Sequence, residues 1–266
     1  MIAGPPESNI LISNSAMHYT AGRPVDVVWL NELGGLTLRI EDADKSIFLK
    51  WAPKDSGLDL NAERIRMTWA LSFIAVPKVI DFGEDGEGSW LVTEGLDAEN
   101  AASDRWKQNP EVAVTAIGRG LRAMHDALPV DACPFIWSLE DRITRARARV
   151  IRGETHPAKW HEEFRHLSGE AALTELDTPP SVDQLVVCHG DACAPNTLID
   201  KSGDWVGHVD LGRMGLADRW ADIAIAAWST QWNYGTGWES LLYDSYGIAP
   251  EPEKIRFYRL LWDLDE

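Results

Sequence analysis

Three side chains in the last third of the chain have the types and spacing that phosphoryl transfer requires. Asp191 follows His189 and Gly190, Asn196 lies five residues further on, and Asp210 lies nineteen beyond Asp191 in a Val-Asp-Leu-Gly segment. Moving a γ-phosphoryl group from a nucleotide needs a carboxylate beside the acceptor hydroxyl. It also needs a pair of hard oxygen ligands that hold Mg²⁺ against the phosphates. Asp191 suits the first task, and Asn196 with Asp210 the second. Each residue alone reads equally well as a turn Asp or a capping Asn; the order and spacing of all of them together favour chemistry. Cys188 and Cys193 bracket His189 and Asp191, but a C-x₄-C pair with one internal histidine lacks a fourth ligand and the usual zinc spacing.

The elements that must position these residues divide the chain in two. Val25–Leu30, 35–41 and 46–51 are β-rich runs separated by turn residues, and a helix starts near Leu60, carrying Glu63, before the break at Pro77. Two more strands, 78–82 and 90–93, flank a Gly-rich acidic hairpin. The polar stretch after Glu94 reads as a linker. Beyond it, Val114, Ile117, Leu121 and Met124 form one stripe at helical spacing. An arginine-rich segment, 139–152, reads as an exposed helix, and helices resume at 218–230, 238–246 and from Glu251 on. The expected fold class is α+β: a small antiparallel-sheet lobe over 1–94, a hinge over 95–100 and a larger, mostly helical lobe over 101–266, with a cleft between the lobes.

The blocks HGDACAPN, 189–196, and VDLGRMGLADRWADIA, 209–224, resemble the signature of the aminoglycoside phosphotransferases of the 3′ and 3″ types, within the protein-kinase-like group. That resemblance implies a bilobal kinase-like fold and assigns roles residue by residue. Asp191 becomes the base or orienter for the substrate hydroxyl, Asn196 and Asp210 the Mg²⁺ ligands, and His189 the residue that shapes the loop. A strand lysine that reaches the α- and β-phosphates is expected, held by a helix glutamate. Lys50, at the end of SIFLK, and Glu63, thirteen residues later, fit this, since Lys45 and Lys54 sit in turns. The usual Gly-rich loop is absent, and Asn31, Gly34 and Gly35 in NELGGLT stand where phosphates are expected. Glu94 and Leu96 fall where a hinge backbone meets adenine. ATP is the expected donor, with GTP the alternative.

The acceptor is less directly written. Forty-two acids against 25 bases give a net charge of −17, the opposite of a nucleic-acid binder and suited to a cationic partner. Aminoglycosides are such polycations, so the resemblance points to Glu162, Glu163 and the terminal Asp263, Asp265 and Glu266 as substrate carboxylates. The loop at 153–166 carries His156, Lys159 and His161 among few acids, which is closer to the streptomycin 3″-kinases than to the kanamycin type. The aromatic run WSTQWNYGTGW, 228–238, either packs helices or stacks on sugars, with packing the commoner use. No apolar run reaches the length of a membrane span, no leader pattern opens the chain, and three cysteines make no disulfide framework. A cytoplasmic monomer or weak dimer is expected. Alternatives are a 3′-phosphotransferase, a kinase of another small alcohol such as choline, homoserine or a sugar, and a kinase-like module that binds nucleotide without turnover.

Overall fold

The computed structural model describes residues 12–42 and 45–265. Two compact units divide the chain: one takes residues up to Asp97 together with His208–Gly212, the other Ala98–Gly207 and Arg213 onward.

The first unit is built on an antiparallel sheet. Its strands are β1 (Val25–Leu30), β2 (Leu36–Asp42), β3 (Lys45–Pro53), β4 (Val79–Glu84) and β5 (Gly88–Glu94), in the order β1-β2-β3-β5-β4. Strand alternation decides which face is core. Ile47, Leu49 and Trp51 of β3 are buried with Leu36, Leu38 and Ile40 of β2 and Trp90 and Val92 of β5, and the short helix α1 (Asn14–Met17) adds Ala16. Lys50, between two of those inward residues, therefore projects from the opposite face. Helix α2 (Leu60–Ala70) starts where Asp59 Oδ1 accepts the Ala62 N–H at 2.8 Å. Its buried stripe is Leu60, Glu63, Met67 and Ala70, so a carboxylate sits among apolar positions and must find a cation there.

The second unit holds α3 (Asp104–Lys107), α4 (Pro110–Ala127), α5 (Leu139–Ile151), α6 (Gly169–Leu176), α7 (Trp220–Tyr234), α8 (Glu239–Tyr246) and α9 (Pro252–Asp265). Short strands lie among them: β6 (Glu99–Asn100), β7 (Leu185–Cys188), β8 (Thr197–Ile199), β9 (Trp205–His208) and β10 (Gly215–Asp218). They form a β10-β7 pair and a β6-β8-β9 sheet. Helix α7 is buried on every side from Trp220 through Thr230, as expected of a helix apolar all round. Helix α6 was not foreseen in the sequence, because its eight residues lie between loops and carry only a short apolar stripe. Among the described residues, no helix is long and apolar enough to cross a membrane.

Two sequence readings change here. The arginine-rich helix α5 is not wholly exposed: Arg142 is 2% exposed and stacks its guanidinium 4.0 Å over the Trp137 ring. Asp265, expected as a substrate carboxylate, lies in the last turn of α9 and is bonded within the chain. Asp265 accepts Arg142 Nε at 3.1 Å and pairs with Arg145 through two bonds of 2.8 and 2.9 Å. Burial works against the Arg142 charge and lowers its pKa, and Asp265 opposes that effect. Glu266 lies outside the described residues.

Removing Asp265 leaves a buried guanidinium without its counter-charge. Asp265→Ala is expected to lower stability by about 3–5 kcal/mol, whereas Arg142→Met with Asp265→Leu costs much less, because no charge is then buried. Urea unfolding of the single and double variants checks this; equal losses in both would show that the pair is a surface contact in energetic effect.

Candidate active site

Asp222, in the first turn of α7, organises the loop that carries Asp191. The Asp222 carboxylate is fully buried and accepts the His189 N–H at 2.5 Å, the Gly190 N–H at 3.0 Å and a bond with His125 Nε2 at 3.0 Å. His125 is held in turn by Tyr246 Oη, 2.8 Å from its Nδ1. Burial alone would raise the Asp222 pKa, but His125 and the backbone N–H group of His189 more than offset it and hold the carboxyl below its usual value. Gly190 has φ +86°, and a Cβ there would lie 2.5 Å from the Arg213 carbonyl oxygen, so only glycine fits.

From that anchor the loop runs to Asp191, Cys193 and Asn196. The Asp191 N–H donates to His189 Nδ1 at 3.2 Å, and Asn196 Nδ2 donates to the Asp191 carbonyl at 2.9 Å. Ser229 Oγ on α7 accepts the Ala194 N–H at 2.9 Å, and Asn233 Nδ2 donates to the Ser229 carbonyl at 2.8 Å. The loop is thus pinned at both ends, and Asp191 Oδ1 is a buried oxygen without a hydrogen-bond partner among the described residues. An orphan carboxylate oxygen on a fixed backbone is ready to accept a proton from a ligand hydroxyl. Cys188 lies with His125 and Asp222, donor atoms within 4.8 Å of one another, but burial raises its thiol pKa well above the ordinary value. Burial does the same at Cys193. A thiol held neutral by burial is a poor nucleophile.

In the first unit, Lys50 Nζ donates to Glu63 Oε1 at 2.6 Å and also pairs with Asp210. Lys50 is fixed by central strand pairing, opposite Thr37 on β2 and Leu91 on β5. Glu63 is buried and gains its cation; Asp210 keeps 49% of its side chain exposed at φ +62°, a conformation that a short polar residue tolerates. Asn31 closes the hairpin between β1 and β2. Its Oδ1 accepts the N–H groups of Leu33 and Gly35, at 3.0 and 2.7 Å, and its carbonyl accepts that of Gly34 at 3.1 Å. The amides of Gly34 and Gly35 are therefore engaged within the turn. The Glu94 N–H donates to the Lys78 carbonyl at 2.8 Å, and Leu96 is partly buried next to the unit boundary.

The expected substrate carboxylates have unlike surroundings. Asp265 is spent on Arg142 and Arg145, and Glu163 pairs with Arg256 at 2.7 Å. Asp263 Oδ2 accepts the His161 N–H at 2.9 Å, and burial pushes its carboxyl up to about 7 against the opposing effects of that bond and of Arg165. Glu162 is exposed. The sequence had not shown that His125, Asp222 and Ser229 hold the loop. Asp222 and Ser229 lie in or just after the ADRWADIA block, but what they bond becomes visible only in three dimensions.

The chain is similar to known proteins over most of its length. A family model described as "Phosphotransferase enzyme family" matches residues 32–260. An aminoglycoside 3′-phosphotransferase of Streptomyces fradiae is 38% identical over 220 residues, covering 79% of this chain and 81% of its own. The crystal structure of an aminoglycoside-3′-phosphotransferase of type VIII superimposes with a TM-score of 0.81 at 32% identity, covering 94% of this chain and 96% of that one. Aminoglycoside phosphotransferase APH(3″)-Id from Streptomyces rimosus, solved in complex with ADP and streptomycin, gives a TM-score of 0.76 at 29% identity. That match covers 96% of this chain and 100% of the other. With its kinase-like α+β fold, the chain belongs to the aminoglycoside phosphotransferase family.

Proposed function

We propose that this protein transfers the γ-phosphoryl group of ATP to a hydroxyl of an aminoglycoside, with the streptomycin 3″-hydroxyl as the first acceptor to test, and so confers resistance. The observation that carries the reading is the Asp191 carboxylate, whose Oδ1 has no partner on a loop pinned by Asp222 and Ser229. An enzyme of this kind has little covalent chemistry to perform; it must position the hydroxyl and receive its proton. Asp191 orients the acceptor hydroxyl and takes the proton as the phosphoryl group leaves the nucleotide. His189 and Asn196 hold the Asp191 backbone for this task.

The nucleotide is assigned to Lys50, supported by Glu63, with Asn31, Gly34 and Gly35 shaping the hairpin and the backbone from Glu94 to Leu96 meeting the base. The side-chain oxygens of Asn196 and of Asp210 are each hard donors of the kind Mg²⁺ takes, and the exposure of Asp210 leaves it open to a ligand. Bound there, Mg²⁺ supplies charge neutralisation at the phosphates. Three free thiols fit a reducing cytoplasm, and the proposal is of a monomer or weak dimer.

Kanamycin-type 3′ phosphorylation is the second reading, favoured by the 38% identity to a 3′ enzyme. Against it stands the 153–166 loop, where Glu154 pairs with Arg152 and Glu163 with Arg256, leaving few carboxylates open to ammonium groups. Guanidinium groups pair bidentately with a few well-placed carboxylates, a geometry that ammonium groups do not share.

Folded Asp191→Asn protein is expected to lose at least about 10²-fold in turnover; wild-type-like rates would remove Asp191 from the mechanism. Mg²⁺-nucleotide is expected to raise the melting temperature of the wild type, and Asp210→Ala to abolish the Mg²⁺-dependent part of that rise. Equal shifts in both proteins would reassign the metal. A coupled assay over streptomycin, kanamycin, neomycin, hygromycin and choline, with ATP or GTP, is expected to give streptomycin the highest kcat/KM. Efficient kanamycin turnover with none on streptomycin would return the chain to the 3′ group.

A further inference from the structure

The aromatic run of α7 is not all packing. Trp228 is 2% exposed and carries the Arg259 guanidinium 5.7 Å from its ring centre, while Arg259 also pairs with Glu239 at 2.9 Å. One turn further along, Trp232 stacks against Trp228 with centroids 4.9 Å apart and remains 39% exposed. His161 stands edge-on to Trp228, centroids 4.7 Å apart at 84°, and its own N–H is the group held by Asp263. The cluster thus joins an open indole, a buried indole, an imidazole and a carboxyl that keeps one oxygen on a backbone amide.

Two features set this cluster apart from helix packing. At the half-buried end of α7, a large indole left two-fifths open beside a fully buried one forgoes burial that would stabilise it. The Trp228 Nε1–H is a buried donor without a partner among the described residues, as are those of the core residues Trp106 and Trp220. His161 also adds no positive charge of its own to the cluster. Burial, with Arg259 adding to it, lowers the His161 pKa, so the imidazole next to the indoles is neutral, and exposed Glu162 lies beside it.

Building on the aminoglycoside reading, we propose that Trp232, backed by Trp228 and His161, is a stacking platform for a guanidino- or amino-substituted ring of the acceptor and a determinant of which acceptor is taken. The Trp228 face already accepts a guanidinium from within the chain, from Arg259. Trp232 offers the same quadrupole to a cation from solution. A planar guanidinium stacks on an indole better than a compact, strongly hydrated ammonium does. The platform therefore favours guanidino-substituted acceptors without requiring the dense acidic lining that this chain lacks. The chemical step itself is untouched, since Trp232 is a specificity residue and moves no proton.

The test is steady-state kinetics of Trp232→Ala and Trp232→Tyr beside the wild type, with streptomycin and kanamycin as acceptors and ATP as donor. For streptomycin, Trp232→Ala is expected to raise the acceptor KM about 3- to 10-fold, the range of a partly exposed cation–π contact. Turnover number and the KM for ATP are expected to stay within about twofold, because the binding lost is common to ground and transition states. Trp232→Tyr, which keeps an aromatic face, is expected to restore most of the loss, and the kanamycin KM to move less than the streptomycin KM. An unchanged streptomycin KM in Trp232→Ala, or a Tyr variant as impaired as the Ala variant, overturns the platform while leaving the aminoglycoside reading intact. A wild type that binds ATP and phosphorylates none of these acceptors overturns that reading, and the platform with it.

Discussion

The buried carboxylate of Asp222 is the interaction on which the candidate catalytic loop depends. Taking an ionised carboxylate out of water is costly unless its oxygens are filled with donors, and here the donors are two consecutive backbone amides of the loop and one imidazole. The same bonds that make the charge tolerable also fix the path of His189 and Gly190. Helix α7 has to be apolar on every side to hold that carboxylate at depth, so the composition of the helix and the geometry of the loop answer to one constraint. Asp191 benefits without touching Asp222: its backbone is placed, and one of its own oxygens is left for a ligand.

A similar economy governs the first unit. Glu63 occupies a position that helical periodicity gives to the core, and Lys50 occupies a strand position that alternation turns away from it. Neither placement is stable alone, and the 2.6 Å pair satisfies both. The second carboxylate on Lys50, from Asp210, differs in being half exposed and held at positive φ. Of the two, Asp210 is the one that a ligand can engage without leaving a buried charge behind.

What was legible in the sequence follows from range. The limits of β1, the start of α2 and the stripe on α4 are set by alternation, capping and periodicity within a few residues, and the structure places them where the pattern does. Lys50 and Glu63 were legible as a pair only through the family resemblance, which calls for a strand lysine held by a helix glutamate; the spacing alone singles out neither. Asp191, Asn196 and Asp210 were legible as a pattern. The fate of the acidic tail was not. Asp265 meets an arginine 123 residues earlier in the chain, and nothing local distinguishes a carboxylate that will be paired from one that will stay in solvent. The same limit hid Arg142 inside an arginine-rich helix and concealed the internal bonding of Gly34 and Gly35.

Those unforeseen pairings have a common consequence for the acceptor side. A chain with a charge of −17 seems rich in carboxylates for a cation, yet Asp265, Glu163, Glu154 and Glu239 are each committed to an arginine. Asp263 is withdrawn in another way, since burial keeps its carboxyl protonated up to about pH 7. A cation arriving beside it gains a full counter-charge only by releasing that proton, so binding and ionisation are linked. With these carboxylates committed, exposed Glu162 and the aromatic faces of α7 are what the proposed cation recognition draws on. The pair of tryptophans on α7, directly after the residues that pin the catalytic loop, is where this chain presents those faces.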